Sequence, residues 1–76
     1  MGDGGRKLRG LSGEQVVRAF ERVGYTVDRM KGSHYVLKHS QRAAITIPRH
    51  REVKVGLLMA KIKTAGLTVD EFEGLL

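Results

Sequence analysis

The chain has no cysteine, no tryptophan and a single proline, and its aromatic side chains are two tyrosines and two phenylalanines. Without cysteine there is no disulfide framework and no thiolate zinc ribbon, so a secreted miniprotein held by staples is excluded and a reducing cytosol fits. No stretch approaches the 18 or so apolar residues of a membrane span, and the opening Met1 to Gly10 lacks the apolar core of a signal peptide. A soluble, cytoplasmic protein is expected. With so few aromatics and no row of them on any strand, recognition by base stacking is disfavoured too.

What is present is a small apolar complement and an excess of positive charge. Leu, Ile, Val and Phe make up 21 of 76 residues, more than the roughly 20% below which a charged chain stays disordered. One thin-cored domain is expected. Fourteen Lys and Arg face eight Asp and Glu, giving +6. Three of the acids, Asp70, Glu71 and Glu73, lie near the C-terminal end, so the body of the domain is more basic than the total suggests. Such a balance favours a polyanionic partner.

Residues 1–10 are rich in glycine and basic residues and read as a flexible basic arm; residues 11–76 read as the domain. Ser12 and Gln15 have the spacing of a capping box and start a helix whose apolar stripe is Val16, Val17, Phe20 and Val23, with Gly24 as the stop. From Tyr25 the period changes to two. A first strand with Tyr25 and Val27 inward runs to Met30, although Met30 itself falls on the opposite parity. Lys31-Gly32-Ser33 marks a turn. His34 to His39 then forms a second strand, with Tyr35, Leu37 and His39 on one face and His34, Val36 and Lys38 on the other. A third strand spans 43–47 with Ala43, Ile45 and Ile47 on its apolar face, closed by Pro48. A second helix buries Val55, Leu58, Ile62 and Ala65 before Gly66, and Thr68 with Glu71 opens a short third helix. The fold class is therefore α+β, ordered α-β-β-β-α with a helical tail: a three-stranded antiparallel sheet with helices on one face and the other face open to water.

Half of the basic residues (Arg29, Lys31, Lys38, Arg42, Arg49, Arg51 and Lys54) lie between positions 29 and 54, together with His34, His39 and His50. Such a run can be merely a solvated face. Phosphate binding is the functional alternative, with an affinity that falls as salt rises. His34 faces away from the apolar residues of its strand, where a histidine can exchange protons near neutral pH. His39 is placed to cap the core edge or bond a backbone group. His50, just past Pro48, is either a loop residue or a further phosphate contact. A metal site is disfavoured, because Asp28 and Glu52 are the only acids near the histidines. Ser33 beside His34 is no nucleophile–base pair, since neighbours on a strand point to opposite faces.

Taken in order, Gly24-Tyr25, Arg29-Met30-Lys31-Gly32-Ser33-His34, His39, Thr46-Ile47-Pro48-Arg49-His50 and Gly56 through Ala65-Gly66-Leu67 resemble the HicA/YcfA family of toxins. The likeness runs from about Leu11 to Phe72. It departs from the family in having Ser40-Gln41-Arg42 where an Asp-Gly type turn is common, and in a slightly short segment between His50 and Gly56. The resemblance implies a fold like a double-stranded RNA-binding domain and an mRNA interferase that cleaves mRNA without a metal or other cofactor. It also implies neutralisation by a HicB-like antitoxin that covers the active site. The histidine of the Gly-Ser-His turn, His34, would then be catalytic, with Arg29, Lys31, Gly32, Ser33, Lys38, Arg49 and His50 contacting RNA. A non-catalytic RNA-binding module using the same basic sheet face is the alternative, and a basic surface docking an acidic protein is a third.

Overall fold

A computed structural model describes residues 8–76; most of the expected basic arm, residues 1–7, lies outside them. The described chain runs α1 (Gly13–Glu21), β1 (Thr26–Lys31), β2 (His34–Lys38), β3 (Ile45–Pro48), α2 (Val55–Thr64) and α3 (Val69–Glu73). The strands form one antiparallel sheet in the order β1-β2-β3, so β2 is central. Together with the helices packed on β3, this is the α+β, double-stranded RNA-binding-domain-like arrangement read from the sequence.

Both capping boxes form. Ser12 Oγ accepts from the Gln15 N–H while Gln15 Oε1 accepts from the Ser12 N–H, and Thr68 and Glu71 repeat the pattern at α3. Each box satisfies two of the backbone donors that a helix start leaves unpaired. The apolar stripe of α1 buries Val16, Val17, Ala19 and Phe20, and α2 buries Leu58 and Ile62 with Ala65 at its end. These meet Leu37, Ile45 and Ile47 from the sheet. Phe20 is the centre of an aromatic chain. Its ring centroid lies 4.9 Å from Phe72 of α3 and 5.5 Å from Tyr25, and Tyr25 in turn lies 4.9 Å from His39. Phe72 thereby anchors α3, a helix too short to persist alone.

Three expectations are corrected. Leu8, assigned to the arm by its glycine-rich surroundings, is fully buried in the core. Val27, expected inward, is 40% exposed: it pairs with Leu37 on the helix side of the sheet, but β1 is an edge strand and the helices pack on β3. The third strand starts at Ile45, not Ala43, which is exposed and uses its carbonyl to accept the Tyr25 hydroxyl at 2.8 Å.

The parity conflict within the first strand has a structural origin. The register slips between Val27 and Arg29, so Asp28 and Arg29 together oppose Val36. This is a β-bulge, which inserts one residue and re-aims those after it. Met30 consequently pairs with Tyr35 on the same side as Val27, while Arg29 and Lys31 turn to the face that carries Val36 and His34.

Candidate active site

The helix-free face of the sheet is built from three rows of paired residues, because directly opposite residues in an antiparallel pair share a face. Thr26 pairs with Lys38; Arg29 with Val36 and Val36 with Thr46; Lys31 with His34 and His34 with Pro48. His34 is thus the first residue of the central strand, exposed, and flanked on the β1 side by Lys31.

The turn before it explains this position. Gly32 and Ser33 connect the Lys31–His34 pair as a two-residue hairpin loop, with Gly32 at φ +60 and Ser33 in ordinary negative-φ space. Glycine first is what a type II′ turn needs, and such turns match the twist of the strands they join. The tip is tied down from the other side. The Arg49 N–H donates to the Ser33 carbonyl at 2.7 Å, the Gly13 N–H donates to the His50 carbonyl at 2.9 Å, and the Val53 N–H donates to the Leu11 carbonyl at 2.7 Å. Arg49 and His50, both exposed, therefore stand on a loop stitched between the His34 turn and the start of α1.

Among the expected phosphate contacts, Arg29 and Lys38 share Asp28. Arg29 Nη1 lies 2.7 Å and Lys38 Nζ 3.8 Å from Asp28 Oδ2, with more than half of each cationic side chain exposed. Such exposed pairs contribute little to stability and are readily exchanged for another anion. The bulge is what gathers Asp28 beside Arg29.

Other members of the basic cluster serve the fold. Arg42 Nη1 donates to the Ala65 carbonyl at 2.8 Å, capping the end of α2. His39 stands outside the exposed face: Nδ1 accepts from the Gln41 N–H at 3.0 Å, so the proton is on Nε2, which donates to the Val23 carbonyl at 2.9 Å. Gly24, at φ +106, makes room for that ring, since a Cβ there would sit 2.8 Å from Nε2. His39 is a backbone-bonding residue, as its inward parity indicated.

One polar residue on this face escaped the sequence reading. Lys61 of α2 reaches around the β3 edge, and its Nζ donates to Thr46 Oγ1 at 3.3 Å. It lies outside the basic run of residues 29–54, and only the sheet edge beside it reveals the contact.

Among the described residues no three His, Asp or Glu side chains converge as metal ligands would, and no helix is long and apolar enough to cross a membrane. The face therefore offers a histidine among cations, suited to proton transfer beside a phosphate. A search of curated proteins finds no match to the chain. A family model described as "HicA toxin of bacterial toxin-antitoxin" matches residues 13–67, which spans the first capped helix, the whole sheet, the Gly32-Ser33-His34 turn and α2. The chain belongs to the HicA family of bacterial toxin–antitoxin toxins, and an antitoxin is its implied partner.

Proposed function

We propose that this toxin is an endoribonuclease, an mRNA interferase that cleaves mRNA and so inhibits translation, with His34 as its general acid or base and with no metal in the reaction. The observation that carries the reading is the position of His34: exposed at the start of the central strand, on the helix-free face, paired with Lys31 and sharing that face with Arg29 and Lys38. His34 takes the proton of a ribose 2′-hydroxyl as that oxygen bonds to the adjacent phosphorus, or supplies a proton to the 5′-oxygen as the P–O5′ bond breaks. The products are a 2′,3′-cyclic phosphate and a 5′-hydroxyl. Lys31, Arg29 and Lys38 balance the charge that grows on the phosphoryl oxygens. Gly32 and Ser33 shape the turn, and Arg49 and His50 extend the contact to the neighbouring phosphate.

A HicB-like antitoxin covering this face would block it, and a cytoplasmic site of action gives access to mRNA. Incubation of the chain with mRNA in EDTA tests the proposal. A single acid–base group contributes about 10²- to 10⁴-fold, so His34→Ala should lose that much cleavage while keeping its fold and its RNA affinity. Undiminished cleavage by the variant removes His34 from the chemistry. Cleavage of an all-deoxy oligonucleotide would rule out the 2′-hydroxyl mechanism. RNA binding without cleavage by the unaltered chain would leave the non-catalytic RNA-binding module as the reading.

A further inference from the structure

Val36 is 8% exposed yet stands apart from the core cluster. It lies on the helix-free face, in the row Arg29–Val36–Thr46 next to the His34 row. Lys61 and Thr64 of α2 rise beside β3 there, and with Val36, Ala44, Ile45 and Thr46 they line an open recess of about 180 Å³. Its floor is apolar, and its polar side chains are those of Lys61, Thr46 and Thr64, with the Lys61 ammonium and the Thr46 hydroxyl joined at 3.3 Å. Val36, like Pro48 in the His34 row, thus gives this face buried apolar surface beside its cations, which a plain phosphate-binding surface does not need.

We infer that this recess is a nucleobase pocket that prefers guanine to adenine, with Lys61 and Thr46 as its hydrogen-bond donors. The inference rests on the reading of the chain as a ribonuclease and names what that same face recognises. The volume is of the right order for one base: a closed cavity of roughly 150 Å³ accepts a single aromatic ring, and this recess, open to solvent, suits one base partly inserted. Position links it to the chemistry. Val36 and His34 are two residues apart on one face of β2, which is about 7 Å at the usual rise per residue, so a base seated on Val36 places its own or its neighbour's phosphate near His34.

Donor chemistry selects the base. Lys61 carries only donors, and Thr46, whose oxygen already accepts from Lys61, keeps its hydroxyl proton to give. Guanine presents the adjacent acceptors N7 and O6 to such a pair, whereas adenine pairs N7 with an N6 amine that would face the ammonium. Lys61 thus acts in selecting and seating the base, and its bond to Thr46, long for a hydrogen bond, is easily shared with an incoming acceptor.

The test combines nuclear magnetic resonance titration of the full chain by 3′-GMP and by 3′-AMP with mapping of cleavage sites on one mRNA. The chain and two near-isosteric variants, Lys61→Met and Thr46→Val, are compared, with folding checked by their spectra. Expected are shifts at the Val36 and Thr46 amides that saturate at lower 3′-GMP than 3′-AMP, and cut sites with guanine at one fixed position. Lys61→Met should lower that guanine preference about tenfold, within the range of one good side-chain–base pair, while cleavage at other sites persists. Cleavage with no base preference, or a preference untouched in both variants, overturns the pocket and leaves the nuclease reading standing. Guanine-selective shifts at the pocket without any cleavage by the unaltered chain keep the pocket and overturn the nuclease reading; neither shifts nor cleavage overturns both.

Discussion

Tyr25 shows how much a single side chain can join in so small a core. Its ring sits edge-on to Phe20 and to His39, and its hydroxyl donates to the Ala43 carbonyl, tying the start of β1 to the approach to β3. Burial pushes its phenol above the ordinary value of 10.0, with the Arg42 charge partly opposing that rise. A raised folded value means that the fold favours the neutral phenol. That contribution is complete below about pH 10 and is lost as pH climbs through the folded value. Tyr25→Phe should cost about 1 kcal/mol at neutral pH through the missing hydrogen bond. Thermal unfolding of the two proteins from pH 8 to 11 should then give curves that converge at the alkaline end; parallel curves would mean that the phenol's ionisation is not linked to folding. His39 is the contrasting histidine, with both ring nitrogens committed to backbone groups while His34 stays exposed. The residue type was plain from the chain, and strand parity was enough to tell the two apart.

Among the elements, the helices were the most legible. Ser12 with Gln15 and Thr68 with Glu71 announce two helix starts, and side-chain capping is a local interaction that needs nothing from the rest of the fold. Ser12→Ala should cost about 1 kcal/mol, which in a domain of this size lowers the unfolding temperature by roughly 4–8 °C. Calorimetry checks it, and an unchanged midpoint would mean that tertiary packing alone holds α1. The strands were less legible. The bulge at Asp28-Arg29 breaks the period of two that locates an inward face, and Met30's conflicting parity was its only trace. That bulge turns Arg29 outward. It also brings Asp28 alongside Arg29 and Lys38, so these two cations share one counter-charge.

For the molecule as a whole, the sheet separates two jobs: one face packs on the helices, and the other collects His34 and the cations. In the proposed reading an open face suits a long polyanion, which can lie along it. If Arg29, Lys31, Lys38 and Arg49 make about four phosphate contacts, log affinity for single-stranded RNA should fall against log salt with a slope near −3, roughly −0.7 for each contact. Lys31→Ala should make that slope shallower by about 0.7 without altering base preference. Titrations at several salt concentrations measure it, and an unchanged slope would take Lys31 off the phosphate path.

Composition, capping grammar and the Gly32-Ser33-His34 turn determined that this chain is a small basic α+β domain with His34 set apart from its core. These are properties of residues near in sequence, whose energetics are local. Tertiary structure alone decided what depends on residues brought together from afar. Leu8 enters the core because the fold closes over it, and Arg42 leaves the basic patch because the end of α2 arrives beside it. Lys61 joins the sheet face for a comparable reason: β3 is an edge strand, short enough to be reached around from the helix behind it.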